Sequence, residues 1–541
     1  MQRIIANFTD IVNKKIYVAK VEFNKSIISI TPQGASEDPS LPYILPGFID
    51  AHVHIESSML IPAEFARIAV THGTVATVSD PHEIANVCGA EGVDFMINNG
   101  HKTPFKFYFG APSCVPATTY ETAGASLDSR EVRKLLENPH IKYLSEMMNF
   151  PGALQGDPEV LEKISAAHAL GKPVDGHAPG LRGDMARKYI ELGISTDHEC
   201  FTLEEALEKL HYGMKIIIRE GSAARNFEAL YTLIDDYPEM VMFGSDDKHP
   251  DELVSGHINL ICSRAVKKGM NVYNVLTAAC INPVKHYQLD TGLLKPGDPA
   301  DFILVDDLQD FSVRQTFIGG AMVAENGKTL IPGFDHEVRL NQFNCALKTL
   351  ADIECRAQGK YALPVIEALD GQLITNKLFI QPKTEHGCHV SDTSEDVLKI
   401  VVVNRYRESP PAIAFIRNFG LKEGAIASSV AHDSHNIVGV GADDESLLKA
   451  INLIISNKGG ISCIKDNLEM VLPLPVGGLM SCEDGYKVAE LYSIIDKAAK
   501  DAGSTLRSPF MTLSFMALLV IPHVKLSDLG VFDGDEFRLM R

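Results

Sequence analysis

The chain has 541 residues, enough for roughly two to four domains with large apolar cores. Hydrophobic residues make up 45% and charged residues 22%, which excludes a disordered chain, and a net charge of −20 excludes a broad basic surface for nucleic acid. A membrane span is excluded too, because the longest apolar run, residues 510–521, is short and broken by Thr512 and Ser514.

The first ten residues lack a basic stretch followed by an apolar core, so no signal peptide is expected. Residues 1–43 alternate short β-type runs (15–19 and 26–30) with turn residues and read as a small antiparallel unit. From residue 44 a β-type run and a helical stretch recur. The strands are predicted at 44–54, 74–80, 105–111, 141–147, 173–177, 194–198, 215–220 and 240–246. Helices are predicted at 62–71, 158–170, 184–192, 203–211 and 226–234. Eight such alternations fit a (β/α)₈ barrel better than an open sheet. Helical stretches at 250–268 and 271–279 follow, then a turn-rich strand region at 292–305 and a hairpin element at 317–323. These last strands are expected to rejoin the N-terminal ones. After a break at Ile331, Pro332 and Gly333, strands at 398–403 and 437–440 and helices at 444–455 and 487–501 form a separate α/β unit. The fold class is therefore α/β: a TIM-like barrel over 44–284, a small β-sandwich domain built from both flanks (1–43 and 285–335), and a C-terminal α/β domain over 336–541. Ten scattered cysteines without a CxxC pair read as buried thiols in a reducing compartment, so the cytoplasm is the expected location.

The first barrel strand ends in His52-Val53-His54. Side chains alternate along a strand, so both imidazoles face one way and can share a metal ion such as Zn, Mn or Fe. A lone His-x-His reads more readily as two polar residues on a solvated strand face. The other strand ends change the balance, because barrel enzymes carry their chemistry there. They hold Asp80 with His82 and Glu83, then Glu146, His177, His198, and Asp246 with Asp247. Four histidines and two carboxylates (His52, His54, His177, His198, Glu146, Asp246) exceed one tetrahedral site, and a carboxylate can bridge two cations through its two oxygens. A binuclear centre is expected, with Asp246 also placed to take a proton from water and return it to a leaving group. Such machinery suits hydrolysis at a carbon bonded to nitrogen: an amide, an ester or an amidine-like ring carbon.

The run Pro46-Gly47-Phe48-Ile49-Asp50-Ala51-His52-Val53-His54, with Gly297-Asp298-Pro299-Ala300-Asp301, resembles the amidohydrolase superfamily. Three further segments resemble its bacterial adenine deaminases over nearly the whole chain. They are His54-Ile55-Glu56-Ser57-Ser58-Met59, Val78-Ser79-Asp80-Pro81-His82-Glu83-Ile84-Ala85-Asn86-Val87 and Ala431-His432-Asp433-Ser434-His435-Asn436. The resemblance implies conversion of adenine to hypoxanthine and ammonia, in purine salvage, by a metal-bridging hydroxide attacking C6. It implies two divalent ions, Mn²⁺ or Fe²⁺ with Zn²⁺ as the alternative. His52 and His54 would hold one ion and His177 and His198 the other. Glu146 would take the bridging place that a carboxylated lysine fills in many relatives; Lys142 is its weak rival. Asp246 would be ligand and proton shuttle. His82 and Glu83 are expected near the chemistry and Glu56, Ser57 and Ser58 at the substrate, though Glu83 reads equally well as a helix cap. His432, Asp433, His435 and Asn436 are expected to form a lid, against the alternative of a surface turn. Adenine is the expected small-molecule partner, with no nucleic acid or membrane, in a homodimer. The competing readings are another metal-dependent amidohydrolase acting on a cyclic amide or a different nucleobase, and a non-catalytic scaffold, which six competent ligand positions disfavour.

Overall fold

The computed structural model describes every residue except 335–337, 339, 358, 360, 467 and 541. Strands β1 (Gln2–Asp10), β2 (Lys15–Phe23), β3 (Ile27–Pro32) and β4 (Tyr43–Pro46) belong to one sheet. It also takes β13 (Phe302–Val305), β14 (Val313–Ile318), β15 (Ala321–Glu325) and β16 (Lys328–Thr329), from beyond the barrel. The two flanks join where β4 pairs parallel with β1 and antiparallel with β13. The sheet folds over itself, because Phe23 of β2 meets Phe302 and Phe317 edge-on at 5.0 and 5.6 Å. The β14–β15 turn uses Gly319 and Gly320 at positive φ, and a Cβ on Gly320 would lie 1.7 Å from the Asn24 carbonyl oxygen.

The barrel strands are β5 (Phe48–Val53), β6 (Thr74–Ser79), β7 (Lys106–Ala111), β8 (Ile141–Met147), β9 (Val174–Gly176), β10 (Ile194–Asp197), β11 (Lys215–Arg219) and β12 (Val241–Gly244). They neighbour one another in sequence order and are almost wholly buried, as parallel strands covered on both faces must be. The ring closes where the Asp246 amide donates to the His52 carbonyl at 2.9 Å and Val53 bridges Asp246. Chemistry-bearing residues of the last strand and the first are thus brought side by side by the closure itself.

All eight predicted strands are present, with one correction. Residues 44–54 are not one strand: the chain passes from β4 in the flanking sheet to β5 in the barrel through Gly47, where a Cβ would collide with the Val75 side chain at 2.3 Å. The helical stretch 250–268 is likewise two helices, Pro250–Ser255 and Ile258–Lys267, parted at Gly256; 226–234 is two short ones. The expected boundaries at 43/44 and 284/285 fall inside β4 and inside the helix Asn282–Tyr287, and the one at 335/336 lies outside the described residues.

The C-terminal part carries its own eight-stranded sheet, with Val397–Val403 and Ile437–Gly441 central and wholly buried. Helix Asp444–Asn457 covers one face with Leu447, Ala450, Ile451 and Ile454, spaced three and four apart. Asp443 caps it, accepting from the Ser446 amide. Helix Gly485–Asp501 lies against the barrel helix Pro250–Ser255, and Glu64 of the barrel accepts from the Gly485 amide at 2.9 Å. Residues 510–521 form the helix Pro509–Phe515 and a turn; among the described residues no helix is long and apolar enough to cross a membrane. The ten cysteines are all free and each is buried or half-buried.

Candidate metal centre

The polar ends of the barrel strands converge on one buried cluster. His52 and His54 leave β5 on the same face, with ring centroids 4.9 Å apart. The Asp246 Oδ1 lies 3.4 Å from His52 Nε2 and 3.3 Å from His54 Nε2. From β8, Glu146 offers Oε2 to His177 Nδ1 at 2.9 Å and His198 Nε2 at 3.0 Å, while its Oε1 stands 3.5 Å from His54 Nε2. One carboxylate thus reaches toward both histidine pairs, as a bridging group must. The His52 and His198 rings stack at 4.0 Å, closing the circle. All six expected metal ligands lie in this one cluster and all are buried.

The surroundings are strongly acidic. Asp80, Glu83, Glu146, Glu199, Asp246, Asp247 and Asp433 are buried together, and among the described residues Arg219 is the one guanidinium set between them. Arg219 donates to both Glu199 oxygens at 2.7 Å and to Asp246 Oδ2 at 2.5 Å. Buried carboxylates need compensation by cations or protons. The imidazoles therefore feel two opposed pulls. Burial pushes His198 down, but Glu146 overrides it and carries the ring up to about 10. Burial likewise pushes Glu146 up, and His177 and His198 hold it well below the usual carboxylate range. Asp246 is also held low against burial, by Arg219 first.

This donor set fits divalent metal ions. Both nitrogens of His52, His177 Nε2 and His198 Nδ1 are buried without a hydrogen-bond partner, an expense that metal ligation removes. Imidazole with carboxylate suits Mn, Fe or Zn.

The remaining expected residues fall into two groups. His82 and Glu83 open the helix His82–Gly100 directly after β6, which aims both at the cluster. His82 Nδ1 is 3.1 Å from Asp80 Oδ2 and 3.5 Å from Glu146 Oε1; its Nε2 is 3.3 Å from Glu83 Oε1. Glu83 also binds the C-terminal domain, accepting from His432 through one oxygen and from His435 Nε2 at 2.5 Å through the other. Asp433 Oδ1 stands 3.8 Å from His82 Nε2. His432, Asp433 and His435 are therefore buried on the barrel mouth rather than in a surface turn, though Asn436 faces away, donating to the Thr122 carbonyl at 2.9 Å and accepting from the Arg405 amide. Glu56, Ser57 and Ser58 stand behind the cavity wall. Glu56 accepts from the Ile84 amide at 3.1 Å, and burial pushes its carboxyl up to about 7. Ser57 donates to Asp247 Oδ1 at 2.5 Å, while Ser58 donates to the Ile55 carbonyl of its own turn. Lys142 sits near the start of β8, away from the cluster. The cavity between these groups is lined on the barrel side by Met148 and on the other by Leu373, Phe515 and Leu518.

Two members went unpredicted: Glu199 and Arg219. Both were readable as polar residues at strand ends, since Glu199 follows His198 and Arg219 closes β11.

Residues 43–323 match the Amidohydrolase family and residues 372–538 the Adenine deaminase C-terminal domain. The chain belongs to the adenine deaminase family of amidohydrolases. It is 54% identical to the adenine deaminase of Sulfurovum sp. (strain NBC37-1) over 536 residues, covering 99% of this chain and 98% of that one. It is also 54% identical to that of Methanosarcina acetivorans, covering 92% of each, and 49% identical to that of Borreliella burgdorferi, covering 99% and 98%. The family match spans both the barrel and the C-terminal domain that roofs it.

Proposed function

We propose that this protein hydrolyses adenine to hypoxanthine and ammonia, serving purine salvage in the cytoplasm. Identity near one half to adenine deaminases over the full chain supports the substrate. The observation that carries the chemistry is the buried cluster, in which Glu146 faces two histidine pairs and Asp246 faces one of them beneath an apolar roof.

His52 and His54 would hold one divalent ion, His177 and His198 the other, with Glu146 between them and Asp246 on the first; Mn²⁺ or Fe²⁺ is the proposed pair. Bound there, the ions would lower the pKa of water so that hydroxide is available at neutral pH. The chain's own residues do the rest. Asp246, held by Arg219 through one oxygen, presents the other to the attacking water and takes its proton. Water adds to C6 as His82 or Glu83, 3.3 Å apart, protonates a ring nitrogen. Asp246 then returns its proton to the amino group, the C6–N bond breaks as ammonia leaves, and the C6 hydroxyl proton passes back to His82 or Glu83, leaving the C6 carbonyl. Leu373, Phe515, Leu518 and Met148 exclude bulk water and give the flat ring an apolar wall. His432, Asp433 and His435 act as the lid that brings this wall over the barrel, and Ser57 steadies Asp247. A division into flanking β domain, barrel and C-terminal domain, with the first boundary moved to Gly47, and assembly as a homodimer complete the reading.

The test is ammonia release from purified, metal-loaded protein given adenine, guanine, cytosine or dihydropyrimidines. Turnover of adenine above the others is expected. No ammonia from adenine with both metals bound contradicts the assignment.

A further inference from the structure

Lys525 is wholly buried, and among the described residues no carboxylate pairs with it. A buried ammonium without a counter-ion is costly, so its presence needs a reason. Its Nζ donates to the Leu373 carbonyl at 2.6 Å and to the Phe515 carbonyl at 3.0 Å. These two residues come from segments more than a hundred positions apart, and both line the cavity above the metal centre. The strand that carries Lys525, Val524–Ser527, bonds the same two segments through its backbone. The Val524 carbonyl accepts from Thr375 Oγ1 at 2.9 Å and the Leu526 amide donates to the Met516 carbonyl at 3.0 Å. Phe515 in turn stacks on His432, centroids 5.1 Å apart, and His432 is bound to Glu83 of the barrel. A single ammonium therefore sits where the roof's two halves meet.

We infer that Lys525 is a positioning residue for adenine binding: its ammonium staples the Leu373 and Phe515 segments into the roof that clamps the purine ring. Burial pushes the ammonium down to about 7, but either protonation state keeps N–H donors for both carbonyls. The inference rests on the cavity being the adenine site. The staple touches the apolar wall directly and Glu83 only through Phe515 and His432, so its loss weakens substrate binding more than turnover.

The experiment is steady-state kinetics on the metal-loaded full chain. Lys525→Met is expected to raise KM for adenine about tenfold, through loss of the two carbonyl hydrogen bonds that tie the wall together, with kcat within about threefold. Lys399→Met is the control. Lys399 is equally buried in the same domain but touches Ile353 and Asp444 and no cavity residue, so its loss leaves KM unchanged. Lys525→Gln keeps one donor amide and is expected between parent and Lys525→Met, which supplies the reading should the methionine variant not fold. A KM within about twofold of the parent in folded Lys525→Met, or in Lys525→Gln where only that variant folds, or an equal rise in Lys399→Met, overturns the proposal. Absence of adenine turnover in the parent would count against the deaminase reading instead.

Discussion

Arg219→Met removes a guanidinium from a buried acidic cluster. In the parent it makes two bonds of 2.7 Å to Glu199 and one of 2.5 Å to Asp246, with all three side chains at most 3% exposed. Methionine fills much of the same volume but leaves two carboxylates buried without their cation. Breaking a buried pair from one side costs about 3–5 kcal/mol. For a barrel of this size that is a fall in melting temperature of roughly 6–20 °C. Asp246 also loses the donor that fixes its Oδ2, so its carboxylate is less well aimed at the attacking water and turnover falls. Both effects are measured on one preparation, by thermal unfolding of the metal-stripped chain and by ammonia release from the metal-loaded one. The double variant Arg219→Met/Glu199→Gln removes one of the stranded charges and is expected to regain part of the lost stability, giving a coupling energy of about 1 kcal/mol or more. A single variant melting within about 2 °C of the parent, with a double variant no better, refutes the claim that Arg219 compensates these carboxylates.

Glu146→Gln and Asp246→Asn are each expected to lower kcat for adenine by about a thousandfold or more while the chain stays folded, as judged by circular dichroism and ammonia release. Chelation is expected to abolish activity, and added Mn²⁺ or Fe²⁺ to restore it. Glu121 is buried beside Asp433, and burial pushes its carboxyl up to about 8. A raised pKa means the folded state holds the proton, so its contribution is full below about pH 4.5 and disappears as pH rises toward 8, a loss of a few kcal/mol at most. Melting temperature should therefore fall across that window in the parent and fall less in Glu121→Gln.

The strands were legible because parallel strands covered on both faces read as apolar runs, and the polar group ending each run marks the mouth of the barrel. That made His52, His54, Glu146, His177, His198 and Asp246 visible together. The split at Gly47 was passed over although Pro46-Gly47 is a turn signal that interrupts the apolar run there, and packing against Val75 fixes where the chain changes sheets. Glu199 and Arg219 stand at strand ends that were read, but the pairing between neighbouring strands that gives them their role is carried by no local pattern. The lid segment could be read only as a run of polar residues. That His432 reaches Glu83 across 349 positions follows from the docking of one domain on another. The roof residues Leu373, Phe515 and Leu518 are ordinary apolar residues in the sequence and gain meaning only from that docking.

The account depends on two cations sharing Glu146 between two histidine pairs. Anomalous diffraction from crystals of Mn²⁺-loaded protein tests this directly. Two peaks are expected, one against His52 and His54 and one against His177 and His198, each within coordinating distance of a Glu146 oxygen. A single peak, or peaks away from these side chains, would contradict it.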